Sequence, residues 1–517
     1  MKKILSFLLI FVCISCTTKT AVPPTRIAKA TVTNIGSSSA VDGLNGLDKV
    51  SYTTYADYVD KVAGTNSDNT RSEVSGVHDS NAGAQRAAAA PAPAPNTAAH
   101  YPKGDDTRKD DIIAIYYGNK NRPKAGRNEL KKLVTHTFKD GHTEWFFPSF
   151  LYVEFKTDEG YKFGDNQPGE KGATNKGHWE WLLNRYFSTA YNGGNFDGLK
   201  ALDECIEDCK KLLGKPAFKH KVYLTVPSPC TDFTEWGSLR INGRTVKIDF
   251  RKREHRLEAV KWFVDEVISR FQAQHYKNIT LEGLYWVEET TSVTSWHKDS
   301  KTGEWTNMTG ARYDYIYVDN VRKSNDIIAD VCAHVHSRGF KFYWIPFDGA
   351  YGNQKWKSLG FDRCDIQTGY FWGTPDLLRA SKSLKTMQEA RKICDRAVQD
   401  GMGVEFEIST DLFVPCYGKL KKTHDIERPY EIVKVKDCKK SPSEMKALGY
   451  KQFDHNPCLM QRLKNLMTVV EEQGVFEHCN LSYYENYSIL RLCNSADPEI
   501  IKIMDRLARH ISRRRAR

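Results

Sequence analysis

The sequence predicts an α/β fold, a (β/α)8 TIM-type barrel with insertions, preceded by a disordered N-terminal tether. Three observations carry that expectation. Between residues 106 and 517, eight apolar runs of strand length alternate with amphipathic stretches of helical period. Helix-ending signals such as Ser337-Arg338-Gly339 punctuate the alternation. The first strand-to-helix turn, Tyr117-Gly118-Asn119-Lys120, lacks a glycine-rich phosphate loop, which weakens the rival reading, a doubly wound nucleotide-binding sheet.

The chain opens with Lys2 and Lys3 ahead of an apolar run from Ile4 to Ile14, the anatomy of a secretory leader too short to span a bilayer. Ser15 then precedes Cys16, which resembles the lipobox of bacterial lipoproteins, where residues 1–15 are removed and Cys16 is acylated. An ordinary leader with a chance cysteine is the alternative. Acylation would anchor the chain, because each buried CH₂ contributes about 0.8 kcal/mol. It implies a place in a bacterial cell envelope, on the periplasmic or cell-surface face of the outer membrane. Residues 16–105 are rich in Ser, Thr, Ala, Asn, Asp and Gly and close on the Ala- and Pro-rich run from Ala87 to Pro95. Such a segment buries too little apolar surface to offset its chain entropy, so it reads as a tether.

The strand-like runs follow in order: Asp111 to Tyr117, Ser149 to Phe155, Lys221 to Val226, Ile279 to Glu289, Phe340 to Ile345, Asp365 to Phe371, Gly403 to Ile408 and Asn480 to Tyr484. Helical patterns lie between them, at Phe196 to Leu213, Arg256 to His275, Ser324 to Ser337 and Leu384 to Gln399. Two polar stretches, at about 291–320 and 411–458, interrupt the alternation and read as insertions.

Composition narrows the class. Of 517 residues, 40% are hydrophobic and 27% charged, which suits a large globular core and excludes wholesale disorder. Beyond the leader no run reaches the roughly 18 apolar residues of a spanning helix. The formal charge of +12 drops by two with Lys2 and Lys3, a modest excess. Its densest patch, Arg506, Arg509, Arg513, Arg514, Arg515 and Arg517, reads as a solvated helix end able to meet anionic lipid or acidic glycan. No basic stretch is interleaved with aromatics in a nucleic-acid pattern, so no nucleic-acid partner is expected. Thirteen cysteines less Cys13 and Cys16 leave an odd number, spread from Cys205 to Cys493 without a C-x-x-C pair. Neither a disulfide framework nor a zinc knuckle fits, and buried thiols are the simpler reading, with Cys205 and Cys209 neighbours on one helix.

In a barrel, chemistry belongs at the C-terminal strand ends. The fourth run ends in Glu288 and Glu289, which as neighbours on a strand point to opposite sides; Glu405 and Glu407 of the seventh run share a side. Carboxyls from strands four and seven can approach across a barrel mouth, which is what glycoside hydrolysis requires: one protonated acid for the leaving oxygen and one carboxylate to attack or to activate water. Rim charges paired with nearby Lys or Arg are the alternative. Glu289 and Glu407 lie furthest along their strands and are the preferred pair, with Glu288 or Glu405 able to replace either.

Other strand ends offer sugar-binding chemistry: Asp348 after strand five, Gln367, Tyr370 and Trp372 after strand six, and Tyr484 after strand eight. Aromatic faces stack on pyranose rings while carboxylates and amides orient hydroxyls. Trp296 and Trp305, in the polar stretch directly after the candidate acid, read as a substrate lid or platform. No metal or cofactor is expected. His334 and His336 have the spacing of a metal pair on a strand, but they fall in a helical stretch where i and i+2 do not share a face.

Several strings are familiar as a set. Pro148 to Phe155, His178-Trp179-Glu180-Trp181, Thr225 to Pro229, Leu281 to Glu289, Trp344 to Phe347, Gly352 with Trp356, Leu359 to Asp362 and Ile366 to Tyr370 resemble, in order, the domain-of-unknown-function 4855 family. The resemblance covers about residues 110 to 410. It implies a carbohydrate-active barrel, similar to glycoside hydrolases and found in exported bacterial proteins, without implying a particular substrate. At strand six this chain reads Gln-Thr-Gly-Tyr where the expected pattern is Gln-Pro-Asn-Tyr.

The function expected from the sequence is hydrolysis of a poly- or oligosaccharide by the retaining route, with Glu289 as acid/base and Glu407 as nucleophile, on a lipid-anchored barrel. The alternative is a non-catalytic surface glycan-binding lipoprotein with a hydrolase-like barrel. A structural or adhesion protein would lack an aromatic-lined cleft.

Overall fold

The computed structural model describes residues 110–516, apart from 118, 121, 123–124, 165–170, 188–197, 232, 292–295, 299–304, 308–314, 319–320, 325, 372–384, 423–426 and 485. The expected leader, Cys16, the tether and Trp372 lie outside the described residues, as do the side chains of Trp296 and Trp305.

Eight strands form the centre: β1 (Asp111–Tyr116), β2 (Ser149–Val153), β3 (His220–Val226), β4 (Ile279–Trp286), β5 (Lys341–Trp344), β6 (Arg363–Gln367), β7 (Gly403–Glu407) and β8 (Leu481–Tyr484). Each strand overlaps one of the apolar runs. All neighbours pair in parallel and in chain order, and β8 returns to β1 through Asp111↔Leu481, Ile112↔Ser482 and Ile113↔Tyr483. The ring is closed, and the open doubly wound sheet is excluded. The strands are almost wholly buried because one side faces the lumen and the other the helices, which is why they read as continuous apolar runs.

The helices of eight residues or more among the described residues are α1 (Arg127–Val134), α2 (Lys176–Tyr186), α3 (Gly198–Leu213), α4 (Arg253–Gln274), α5 (Ile328–Ser337), α6 (Met387–Asp400), α7 (Pro457–Glu472), α8 (Asn486–Cys493) and α9 (Pro498–Ala516). Their starts follow local capping chemistry. Helix α6 begins after Thr386, whose side chain accepts from the Glu389 amide while Glu389 accepts from the Thr386 amide, so two otherwise orphaned donors are satisfied. Helix α5 begins four residues after the expected Ser324. Val321–Ser324 instead pairs antiparallel with Tyr315–Val318, and the Ile328 amide donates to Asp326 at 2.7 Å.

Two apolar clusters result. The larger lies between the strands and the helices; the smaller fills the lumen with Ile112, Ala114, Leu151, Tyr223, Tyr285 and Tyr343 among its members. The N-terminal end of the lumen is closed by charge. Arg363 donates through Nε to both Asp365 oxygens at 3.0 Å, Tyr343 donates to Asp365 at 2.8 Å, and Asp110 lies 3.7 Å from Arg363 while accepting from Ser149 at 2.6 Å. The approach is close enough that a Cβ on Gly403 would stand 1.9 Å from the Asp365 carboxylate.

The arginine-rich tail is not a solvated helix end throughout. Arg514 on α9 is buried, donating to Asp111 at 2.9 Å and to the carbonyls of Phe476 and Cys479 at 2.6 and 2.8 Å. Arg506 pairs with Glu471, and Arg515 donates to the Trp145 carbonyl. A terminal run of arginines thus pins α9 against the N-terminal end of the barrel, using partners that sequence proximity does not reveal. Cys205, Cys209, Cys332, Cys364, Cys394, Cys416, Cys458 and Cys479 are buried. Between β4 and α5 two short hairpins form, Trp296–Lys298 with Trp305–Asn307 being the first. Between β7 and α7 lies a three-stranded antiparallel sheet of Cys416–Leu420, Tyr430–Lys434 and Lys451–Phe453. No helix among the described residues is long and apolar enough to cross a membrane.

Candidate active site

The parallel register sets which side chains share the mouth. Gln367 of β6 is level with Glu405 of β7, Glu405 with Ser482 of β8, and Glu407 with Tyr484. Side chains alternate along a strand, so Glu405 and Glu407 both face the lumen, Glu407 one layer nearer the mouth. From β4 the chain runs on to Glu288 and Glu289. Gln367 donates from Nε2 to Glu289 Oε1 at 2.9 Å, a direct link between the β4 and β6 ends.

Enclosure by protein raises the Glu289 carboxyl. Half-buried by surface area, it is still stripped of most of its hydration, and burial pushes its pKa up to about 7; the Gln367 donor and the Lys162 charge oppose the rise, and Glu288 and Glu407 add to it. Glu405 is buried and is raised well above the usual carboxylate range, first by burial and then by the charges of Glu407, Glu289 and Asp365. The strand-four and strand-seven carboxyls therefore lie within one another's fields. Glu407 is 0% exposed, and its Oε2 accepts from Thr368 Oγ1 at 2.8 Å and from the Gly369 amide at 2.6 Å. Thr368 and Gly369 are the two positions at which the strand-six string departs from the expected pattern.

Glu288 points elsewhere. Its backbone carbonyl accepts from Trp344 Nε1 at 2.7 Å, and its carboxylate lies so close to Gly164 that a Cβ there would be 1.6 Å from Oε1. Gly164, in the segment after β2, leaves the space that this carboxylate occupies, a fit no motif signals.

The remaining predicted residues divide. Gln367 is in the cluster, and Tyr484 stands beside Glu407, partly exposed, with its ring edge-on to Tyr116 at 5.4 Å. Asp348 is held by Lys385 at 2.8 Å and Arg396 at 2.9 Å, so it is a paired carboxylate. Tyr370 corrects the sequence reading: it is 0% exposed in the outer core, with the Arg462 guanidinium 3.8 Å from its ring centroid and Asn465 donating to its hydroxyl at 3.2 Å. Its ring and hydroxyl are thus engaged by two residues of α7, a helix remote in sequence. Trp296 sits in the first hairpin, paired with Asn307. His334 and His336 bond to Asp265 at 3.0 Å and Asp362 at 2.8 Å, and no metal-holding group of side chains occurs among the described residues.

The sequence matches the family described as Domain of unknown function (DUF4855) over residues 111–316 and 307–432. The chain belongs to the DUF4855 family. No curated protein matches it. Among solved structures, this DUF4855 barrel is similar to the Bacillus cereus spore cortex-lytic enzyme SleL, at 9% identity and TM-score 0.32, covering 77% of this chain and 74% of that one. It is also similar to the Ostrinia furnacalis Group IV chitinase, at 9% identity and TM-score 0.33, with 78% and 100% covered. A third likeness is to the GH18 chitinase ChiB of Flavobacterium johnsoniae, at 9% identity and TM-score 0.30, with 77% and 95% covered. The fold assignment rests on the closed strand register, not on these likenesses.

Proposed function

We propose that this barrel is carbohydrate-active and hydrolyses glycosidic bonds, with Glu289 as the group that donates and recovers the proton. The observation that carries the reading is Glu289 itself: a half-buried carboxyl at the C-terminal mouth, poised at about pH 7, oriented by Gln367 and set among the carboxyls of β7. A general acid works best with a pKa near the operating pH, and an enclosed glutamate beside like charges meets that condition. Glu407 is the anionic partner. In the retaining route it attacks the anomeric carbon as Glu289 protonates the leaving oxygen, and Glu289 then deprotonates the water that releases the sugar. The expected tether would carry the barrel on a lipidated Cys16.

One observation favours the second reading, a glycan-binding barrel without turnover. Glu407 is buried at the mouth, with Thr368 and Gly369 both bonded to one of its oxygens, so in this conformation its carboxylate is covered. Assay of the purified protein against a panel of polysaccharides and aryl glycosides decides between them. Hydrolysis that is lost in Glu289→Gln supports the enzyme; binding without hydrolysis across the panel leaves the binder.

A further inference from the structure

Opposite the β4 carboxyls, the mouth has a wall that no sequence motif marks. Tyr116 ends β1, Phe155 follows β2 and Tyr484 ends β8, so three strands adjacent in the ring each deliver one aromatic side chain to the same level. The Tyr116 ring centroid is 5.7 Å from that of Phe155 and 5.4 Å from that of Tyr484. Tyr116 is buried, whereas Phe155 and Tyr484 pack on the lumen cluster and remain partly exposed, so apolar ring surface is left at the rim of an otherwise filled lumen.

The wall is firmly backed. The Glu154 carboxylate, 0% exposed, accepts from the backbone amides of Asn119, Phe155 and Lys156 at 2.9, 2.8 and 3.0 Å, and from Arg122 at 3.0 Å. The Arg122 guanidinium in turn lies 4.7 Å from the Tyr116 ring centroid. One buried carboxylate thus fixes the main chain of Phe155 and the cation behind Tyr116. An ordered aromatic surface loses little entropy when it receives a ligand.

Position and chemistry name the occupant. Tyr484 is the register partner of Glu407, so a group resting on this wall lies beside the carboxyl cluster. A ring with an apolar face and a hydroxylated edge satisfies both neighbours: its C–H face covers the aromatics and its hydroxyls meet the carboxyls. We propose that Phe155 and Tyr484, backed by the buried Tyr116 ring, form the subsite on which a pyranose ring stacks by its C–H face. The proposal deepens the glycosidase reading and rests on it only for the role of the neighbouring carboxyls.

The test measures binding separately from turnover, in the full chain carrying Glu289→Gln, with cellohexaose, chitohexaose and maltohexaose as probes. Calorimetry gives the affinity, and saturation-transfer NMR shows which sugar protons touch the protein. At least one hexaose is expected to bind, with saturation concentrated on the C–H protons of one ring face. Phe155→Leu, which keeps bulk but loses the aromatic face, and Tyr484→Ala are each expected to weaken that binding about fivefold or more. Tyr484→Phe restores the affinity lost in Tyr484→Ala. Thermal unfolding checks that each variant folds, and Phe155→Leu keeps the test valid should Tyr484→Ala fail to. Affinity unchanged in Phe155→Leu and in any folded Tyr484→Ala, or no binding of any hexaose, overturns the proposal. Aromatic-dependent binding with no hydrolysis by the unsubstituted protein would remove the glycosidase reading and leave the wall standing; hydrolysis indifferent to both aromatics would do the reverse.

Discussion

The two ends of the barrel lumen both hold buried carboxyl groups, and they treat them in opposite ways. At the N-terminal end Asp365 is matched: Arg363 bonds both of its oxygens, Tyr343 donates to it, and Asp110 stands on the other side of the guanidinium. At the mouth Glu289, Glu405 and Glu407 are gathered with like charges, and burial drives Glu289 and Glu405 toward their neutral forms. Burying a charge is costly unless it is paired. The matched end therefore reads as structure. The crowded end holds carboxyls in a state that folding alone does not require, and that is where chemistry is to be sought.

That contrast can be broken by substitution. The largest effect is expected at the mouth: Glu289→Gln should lower turnover of any hydrolysed glycan by about a hundred- to ten-thousand-fold, with folding and glycan affinity retained, as read from steady-state rates and calorimetry. At the opposite end Arg363→Ala strands Asp365 without its cation and should cost about 3–5 kcal/mol of stability in denaturant unfolding.

A pH series sharpens the same comparison. Folded Glu289 keeps its proton to about pH 7, whereas its ordinary value is 4.5, so between those values the unfolded chain binds fewer protons than the folded one. Stability should then fall as pH rises through that window, by up to roughly 3 kcal/mol from this group, and Glu289→Gln should flatten the slope. The smallest effect is expected from Thr368→Val, which removes the Thr368 hydroxyl donor to Glu407 Oε2 and leaves the Gly369 amide. A change in activity worth about 1 kcal/mol, roughly fivefold, is expected.

The fold was legible because a closed parallel barrel buries both faces of its strands, so each strand announces itself as an apolar run. The paired glutamates were legible for a related reason: a charge at the end of such a run stands out. What holds them was not. Gly369 acts on Glu407 through a backbone amide, which carries no residue signature, and Gly164 serves by having no side chain where Glu288 lies. Tyr370 was placed at the site as an aromatic just past a strand end, whereas Arg462 and Asn465, which engage it in the outer core, are remote in sequence. Asp348 looked available because Lys385 and Arg396, which hold it, are distant in sequence. The wall of Tyr116, Phe155 and Tyr484 needed ring closure, since nothing in the chain order places a residue of β8 beside residues of β1 and β2.

The Arg514–Asp111 contact joins residues 403 positions apart, and it lies at the seam where β8 meets β1. Pairings so remote in sequence carry a large loop-closure cost and come late in folding. Until α9 docks, Asp111 would be a buried acid without its cation, and an incomplete ring would expose two unpaired strand edges. Arg514 thus ties the last helix of the chain to the strand at which the ring closes.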